Sequence, residues 1–128
     1  MSGDDETALA FMANGGDGCM SIVSNVAPEL CQAVFSNCRL ARPQTARYLH
    51  DRLLPLMIAL TKESPAALKY ALFLLGFISP ATRLPIVELT EDAKAEVASV
   101  IAEIGDEDIA CPIESWHGRR FHEDAAAT

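Results

Sequence analysis

Apolar residues recur at spacings of three and four along most of the chain, which is the period of an amphipathic helix. Between Ala27 and Leu40 the stripe is Leu30, Cys31, Val34, Phe35 and Cys38, with Pro28 tolerated in the first turn, and it predicts a helix ending near Leu40 to Arg42. The pattern restarts at Pro43 and runs through Tyr48, Leu49, Leu53, Leu56, Met57 and Leu60. Pro55 sits inside this run and removes one amide donor, so a kink or break is expected there. The stretch Pro65 to Leu75 is apolar apart from Lys69 and predicts a core helix closed at Gly76. Thr90-Glu91-Asp92 reads as the cap of a last helix, whose stripe is Ala93, Val97, Val100, Ile101 and Ile104 and which Gly105 ends. At the start of the chain, Ser2-Gly3-Asp4-Asp5-Glu6 precedes Leu9, Phe11 and Met12. A hydroxyl and three acids there match the dipole of a helix amino terminus, and Asn14-Gly15-Gly16 predicts its end.

One segment breaks the helical period. Gly18-Cys19-Met20-Ser21-Ile22-Val23 is short, β-branched toward its end and bounded by glycine and by Ser24-Asn25, so a β-strand is predicted over residues 18–23. The predicted fold class is therefore mostly α with one short β-strand. A lone strand leaves both of its rows of backbone donors and acceptors unpaired and calls for a partner sheet. Helix, strand, helix is the rhythm of one βα unit of a larger barrel, an architecture that takes about 250 residues. Ser79-Pro80 and Arg83-Leu84-Pro85 mark an irregular connector. Residues 106–128 mix acids, Pro112, Trp116, two histidines and an alanine-rich end without periodicity, so a loosely docked tail is expected. No internal repeat is visible.

Charge narrows the partners. The 128 residues carry a formal net charge of -8, with 50% hydrophobic and 22% charged residues. Nucleic acid and anionic membrane surfaces need clustered Lys and Arg, which are missing here. The apolar runs are short and interrupted and the amino terminus is acidic, so neither a membrane span nor a signal peptide is read, and the expected compartment is the cytoplasm. The four cysteines, Cys19, Cys31, Cys38 and Cys111, lie in apolar surroundings with no CxxC pair and are expected to be reduced thiols.

Few side chains qualify for chemistry. A nucleophilic lysine must be desolvated enough to be neutral, and none here does so convincingly: Lys62 and Lys94 fall on polar helix faces, and Lys69 is the only charge of the apolar helix. Asp4, Asp5 and Glu6 could form an acid-base pair, but acids at a helix start are ordinary. His117 and His122, near Glu114, Glu123 and Asp124, are five apart in a segment without helical pattern, a spacing that is no metal-ligand motif. His50 reads as a surface or boundary residue. Cys31 and Cys38 sit in an apolar stripe and Cys19 in the strand, none of them beside a base.

Several strings in order carry a resemblance: Ser2-Gly3-Asp4-Asp5, Gly15-Gly16-Asp17-Gly18-Cys19-Met20-Ser21, Ser24-Asn25-Val26-Ala27, Arg52-Leu53-Leu54-Pro55-Leu56, Glu63-Ser64-Pro65-Ala66-Ala67-Leu68-Lys69-Tyr70-Ala71 with Leu74-Leu75-Gly76, and Arg83-Leu84-Pro85. From Ser2 to about Ile104 they resemble the late barrel and helical extension of the dihydrodipicolinate synthase and N-acetylneuraminate lyase family, most of all its lysine-pathway branch. Ala67 departs from a second proline common in that family, and the tail from Gly105 is longer than its usual ending.

The resemblance implies residues 1–41 as the last βα portion of a (β/α)8 barrel and 42–105 as a carboxyl-terminal helical extension, while 106–128, which lack periodicity, are expected to be a mobile tail. It implies a lyase that condenses pyruvate with aspartate semialdehyde through a Schiff base on a barrel lysine, with no further cofactor and no metal. That lysine and its helpers are expected upstream of Met1, so no catalytic residue is expected in this chain. Only the edge of the pyruvate pocket is expected here, with Gly3 giving close backbone access and Met20 presenting its main-chain carbonyl. Pyruvate would bind only once an amino-terminal half completes the barrel, and a homo-oligomer is expected. The rival expectation is a non-catalytic helical module that self-associates through its apolar faces.

Overall fold

The computed structural model describes residues 1–105. Their elements are α1 (Asp5–Ala13), a 3₁₀ turn (Val23–Asn25), α2 (Pro28–Arg39), α3 (Pro43–Lys62), α4 (Ala66–Leu74) and α5 (Glu91–Ile104). The mostly helical reading holds. The expected tail over residues 106–128 lies outside the described residues.

The strand over residues 18–23 is not formed. In its place Ser2 and Cys19 make one parallel bridge, in which the Ser2 amide donates to the Gly18 carbonyl at 2.8 Å and the Met20 amide to the Ser2 carbonyl at 2.8 Å. The extended backbone finds one partner residue, and beyond Met20 side chains compete for the amides. Ser21 Oγ accepts from the Ser24 amide at 2.8 Å and Ser24 Oγ donates to the Ser21 carbonyl at 3.1 Å, which turns the chain into the 3₁₀ segment.

Helix ends follow from capping chemistry. Asp4 caps α1 by accepting from the Thr7 amide at 3.1 Å and the Thr7 hydroxyl at 2.6 Å, and Thr90 caps α5 by accepting from the Ala93 amide at 3.3 Å. Three helices finish in Schellman motifs. The Gly16 amide reaches the Phe11 carbonyl at 3.0 Å, the Arg42 amide the Asn37 carbonyl at 2.9 Å and the Phe77 amide the Leu72 carbonyl at 2.9 Å. In α1 and α4 the left-handed residue is Gly15 or Gly76, whereas in α2 it is Ala41 with φ 54°. A Cβ in that conformation costs roughly 1–2 kcal/mol. Ala41→Gly is therefore expected to stabilise the chain by about 0.5–1 kcal/mol after the greater unfolded-state freedom of glycine is subtracted, raising Tm by a few degrees in a thermal melt. A lowered Tm would refute the strain.

The 20-residue α3 is the hub, packing against α1, α2, α4 and α5. Its buried stripe is Ala46, His50, Leu53, Leu56, Met57, Ala59 and Leu60. Of the expected kink or break, the break does not occur: the helix runs on through Pro55, because the buried residues on both sides of the proline share one core, and that packing outweighs one lost hydrogen bond. One apolar cluster reaches from Val23, Val26 and Leu30 through Val34, Leu56 and Leu60 to Val97, Ile101 and Ile104. The α4 segment is less of a core helix than its composition predicts. It buries a face of Ala66, Ala67 and Ala71, small enough for close approach to α3 and α5, and leaves Phe73 and Leu74 exposed.

Candidate functional site

The two residues singled out for the edge of a pocket lie together. Gly3 follows bridge residue Ser2 and Met20 follows its partner Cys19, so both stand just past the parallel pairing, on the side toward which the two segments run. Gly3 is exposed, with no atom beyond its own chain neighbours within 4 Å of where a Cβ would stand, and Met20 is 72% exposed.

A third residue fastens these segments from beneath. Asp5 is buried at 6% exposure, and its Oδ2 accepts from the Ile22 amide at 2.8 Å and the Val23 amide at 3.2 Å. The carboxylate thus sits where α1 and the 3₁₀ turn both begin and satisfies donors that would otherwise be orphaned. Of the acids in the first turn, Asp4 is a cap, Asp5 a long-range tie and Glu6 exposed. They do not form an acid-base pair. The role of Asp5 was within reach of the sequence, since Asp5, Ala8 and Met12 fall at i, i+3 and i+7 and all three are buried.

His50 is corrected in the same way. It is buried, not at the surface, because it shares a helical stripe with Ala46, Leu53 and Met57. Its Nε2 has no hydrogen-bond partner among the described residues, and its Nδ1 lies 4.0 Å from an Asp51 oxygen.

None of the three lysines resembles a Schiff-base nucleophile. Lys62 donates to Glu96 at 3.0 Å and Lys94 to Glu91 at 2.8 Å, and these hydrogen bonds hold both ammonium groups above their usual pKa, the wrong direction for a neutral amine. Lys69 Nζ is bound to the Ala81 carbonyl. The thiols of Cys19, Cys31 and Cys38 are free. Burial pushes all three up in pKa, Cys31 to about 11 with Asp5 adding to it, so they stay protonated and poorly nucleophilic. Cys111, His117 and His122 lie outside the described residues. Among the described residues no three His, Cys, Asp or Glu side chains come close enough to hold a metal, and no helix is long and apolar enough to cross a membrane.

A cavity of about 150 Å³ between α4 and the start of α5, lined by Tyr70, Phe73, Glu88, Leu89 and Lys94, uses neither Gly3 nor Met20.

The sequence pattern of the dihydrodipicolinate synthetase family matches residues 1–104. The 4-hydroxy-tetrahydrodipicolinate synthase of Bartonella bacilliformis is 44% identical over 106 residues, 82% of this chain and 36% of that protein. That of Afipia carboxidovorans is 50% identical over 92 residues, 71% of this chain and 31% of that protein. Among solved structures, dihydrodipicolinate synthase from Thermotoga maritima superposes with a TM-score of 0.79 at 37% identity, covering 81% of this chain and 36% of that one. The chloride-inhibited enzyme of Acinetobacter baumannii, complexed with pyruvate, gives 0.77 at 33% identity, again covering 81% of this chain and 36% of that one. The chain thus spans about a third of the length of the relatives it matches. With the pattern matched from Met1 to Ile104 and the same helical arrangement in solved relatives, the chain belongs to the dihydrodipicolinate synthetase family.

Proposed function

We propose that this chain is the carboxyl-terminal part of a cytoplasmic, pyruvate-dependent lyase of its family, competent only when the remainder of a (β/α)8 barrel is joined to it. Residues 1–41 would supply the last βα portion of the barrel, 42–105 a helical extension and 106–128 a tail. The observation that carries the reading is the parallel bridge between Ser2 and Cys19 with α1 crossing between them. Parallel pairing across a helix is what neighbouring strands of such a barrel do, and barrel enzymes place their chemistry at the carboxyl ends of those strands. Gly3 and Met20 stand at those ends. In this reading Gly3 lets substrate approach its backbone, and Met20 offers its main-chain carbonyl to the pyruvate pocket.

The barrel lysine that would form the Schiff base, condensing pyruvate with aspartate semialdehyde, belongs to the portion of the relatives that this chain does not match. Here each described lysine is held by an acid or a carbonyl. Incubation with pyruvate and borohydride followed by intact-mass spectrometry is expected to give no adduct on this chain alone. Joined to the unmatched portion of the Thermotoga maritima enzyme, it should give one adduct per barrel, on that portion's lysine. A stoichiometric adduct on Lys62, Lys69 or Lys94 of the separate chain would overturn the proposal.

A self-associating, non-catalytic module is the second reading. It draws on the exposure of Met1 at 74%, Met20 at 72%, Leu84 at 87% and Val87 at 69%.

A further inference from the structure

We infer that Asp5 is a positioning residue for the pyruvate pocket, an inference that rests on the pocket role proposed for Gly3 and Met20. Two short segments would carry that edge, residues 2–4 and 18–20. Three contacts join them directly, and a fourth ties the chain just beyond their ends. Two are the bridge hydrogen bonds between Ser2 and residues 18 and 20, each at 2.8 Å, and a third is a weak one from Cys19 Sγ to the Asp4 carbonyl at 3.8 Å. The fourth is the pair of amides, Ile22 and Val23, held by the Asp5 carboxylate. Only this last contact pairs a charged group with main-chain donors, and charge-assisted bonds are about twice as strong as neutral ones.

The geometry makes Asp5 a tie between the two segments. It is the first residue of α1, two positions after Gly3, and it holds the backbone two and three positions after Met20. Asp5 is more than nine-tenths buried, with its carboxylate turned to the Ile22 and Val23 amides and not to a ligand. It acts through the register of the main chain, fixing how far the Met20 carbonyl stands from the Gly3 backbone. A pocket edge built from backbone atoms has no side-chain rotamer to adjust, so displacement of either segment should weaken binding of the small keto acid more than it slows later chemistry.

The test uses one polypeptide in which this chain follows the unmatched portion of the Thermotoga maritima enzyme. Asp5→Ala should raise the KM for pyruvate about tenfold with kcat within about twofold, because uniform binding is lost while the chemistry is left intact. Asp5→Asn keeps a carbonyl oxygen able to accept both amides and should bring KM back to within about threefold of the parent. Thr90→Ala removes the hydroxyl cap of α5, which packs on α3 and α4, and serves as a control that should leave KM unchanged. An unchanged KM in Asp5→Ala, or an equal rise in Thr90→Ala, overturns the inference. If the parent polypeptide forms no pyruvate adduct, the reading of function fails instead, and amide hydrogen exchange on the separate chain still decides the tie. Faster exchange of the Met20 amide in Asp5→Ala, by about tenfold or more, supports it, and unchanged exchange refutes it.

Discussion

Truncating Leu56 to alanine is expected to remove about 3–5 kcal/mol from the unfolding free energy, the upper part of the range for leucine in a core that cannot collapse around the gap. Leu56 is fully buried at the middle of α3, the helix on which the other four pack. The same cluster includes Leu53, Leu60, Val34, Val97 and Ile101, contributed by three different helices. Closing the void would require α2 and α5 to move toward α3 together, and Pro55 next to it stiffens the backbone. Domains of this size hold only about 5–15 kcal/mol in total, so the loss is a large fraction of the whole. Urea titration followed by far-ultraviolet circular dichroism measures it. A loss below about 1 kcal/mol would mean that the α3 interface is loosely packed.

The second large effect is expected at Gly16. A Cβ there would lie 2.2 Å from two ring carbons of Phe11 and 2.8 Å from the Phe11 carbonyl oxygen. The ring is 37% exposed and can swing outward, but the carbonyl accepts the 3.0 Å hydrogen bond that closes the Schellman motif and cannot retreat without opening it. Gly16→Ala should cost roughly 1–3 kcal/mol, as overpacked sites do. Adding Phe11→Ala should return only part of that, because the backbone clash survives ring removal. Full recovery in the double variant, measured by the same titration, would place the whole cost in the ring.

Helix ends were the most legible part of the fold. Pro28, Asn14-Gly15-Gly16, Gly76 and Thr90 act within a few residues of where they stand, so local chemistry reveals them. The stripe Val97, Ile101 and Ile104 was legible for the same reason, since periodicity marks the face that packing then buries. Residues 18–23 misled because their β-branched residues favour extension, while the acceptor that draws the amides of Ile22 and Val23 into a turn is Asp5, 17 and 18 positions away. Asp5 reads from local sequence as one of three acids at a helix start, and His50 as a surface or boundary residue. Their positions on apolar stripes said otherwise, and position prevailed. Of the site itself, the closeness of Gly3 and Met20 comes from a pairing between residues 2 and 19 that no local pattern encodes. Resemblance to a family supplied it.

The bridge between Ser2 and Cys19 also sets an order of events. Its two hydrogen bonds form only after the whole of α1 and the turn behind it have been folded between the paired residues, and closing such a loop costs more entropy than winding a helical turn. The packing of α2 against α3 joins helices that follow one another in sequence and needs no such closure. The pairing of α2 with α3 is therefore expected to form before the bridge. On warming, the chain is expected to part at its two extended segments before α2 separates from α3, so that the Met20 amide exchanges ahead of those in the middle of α3.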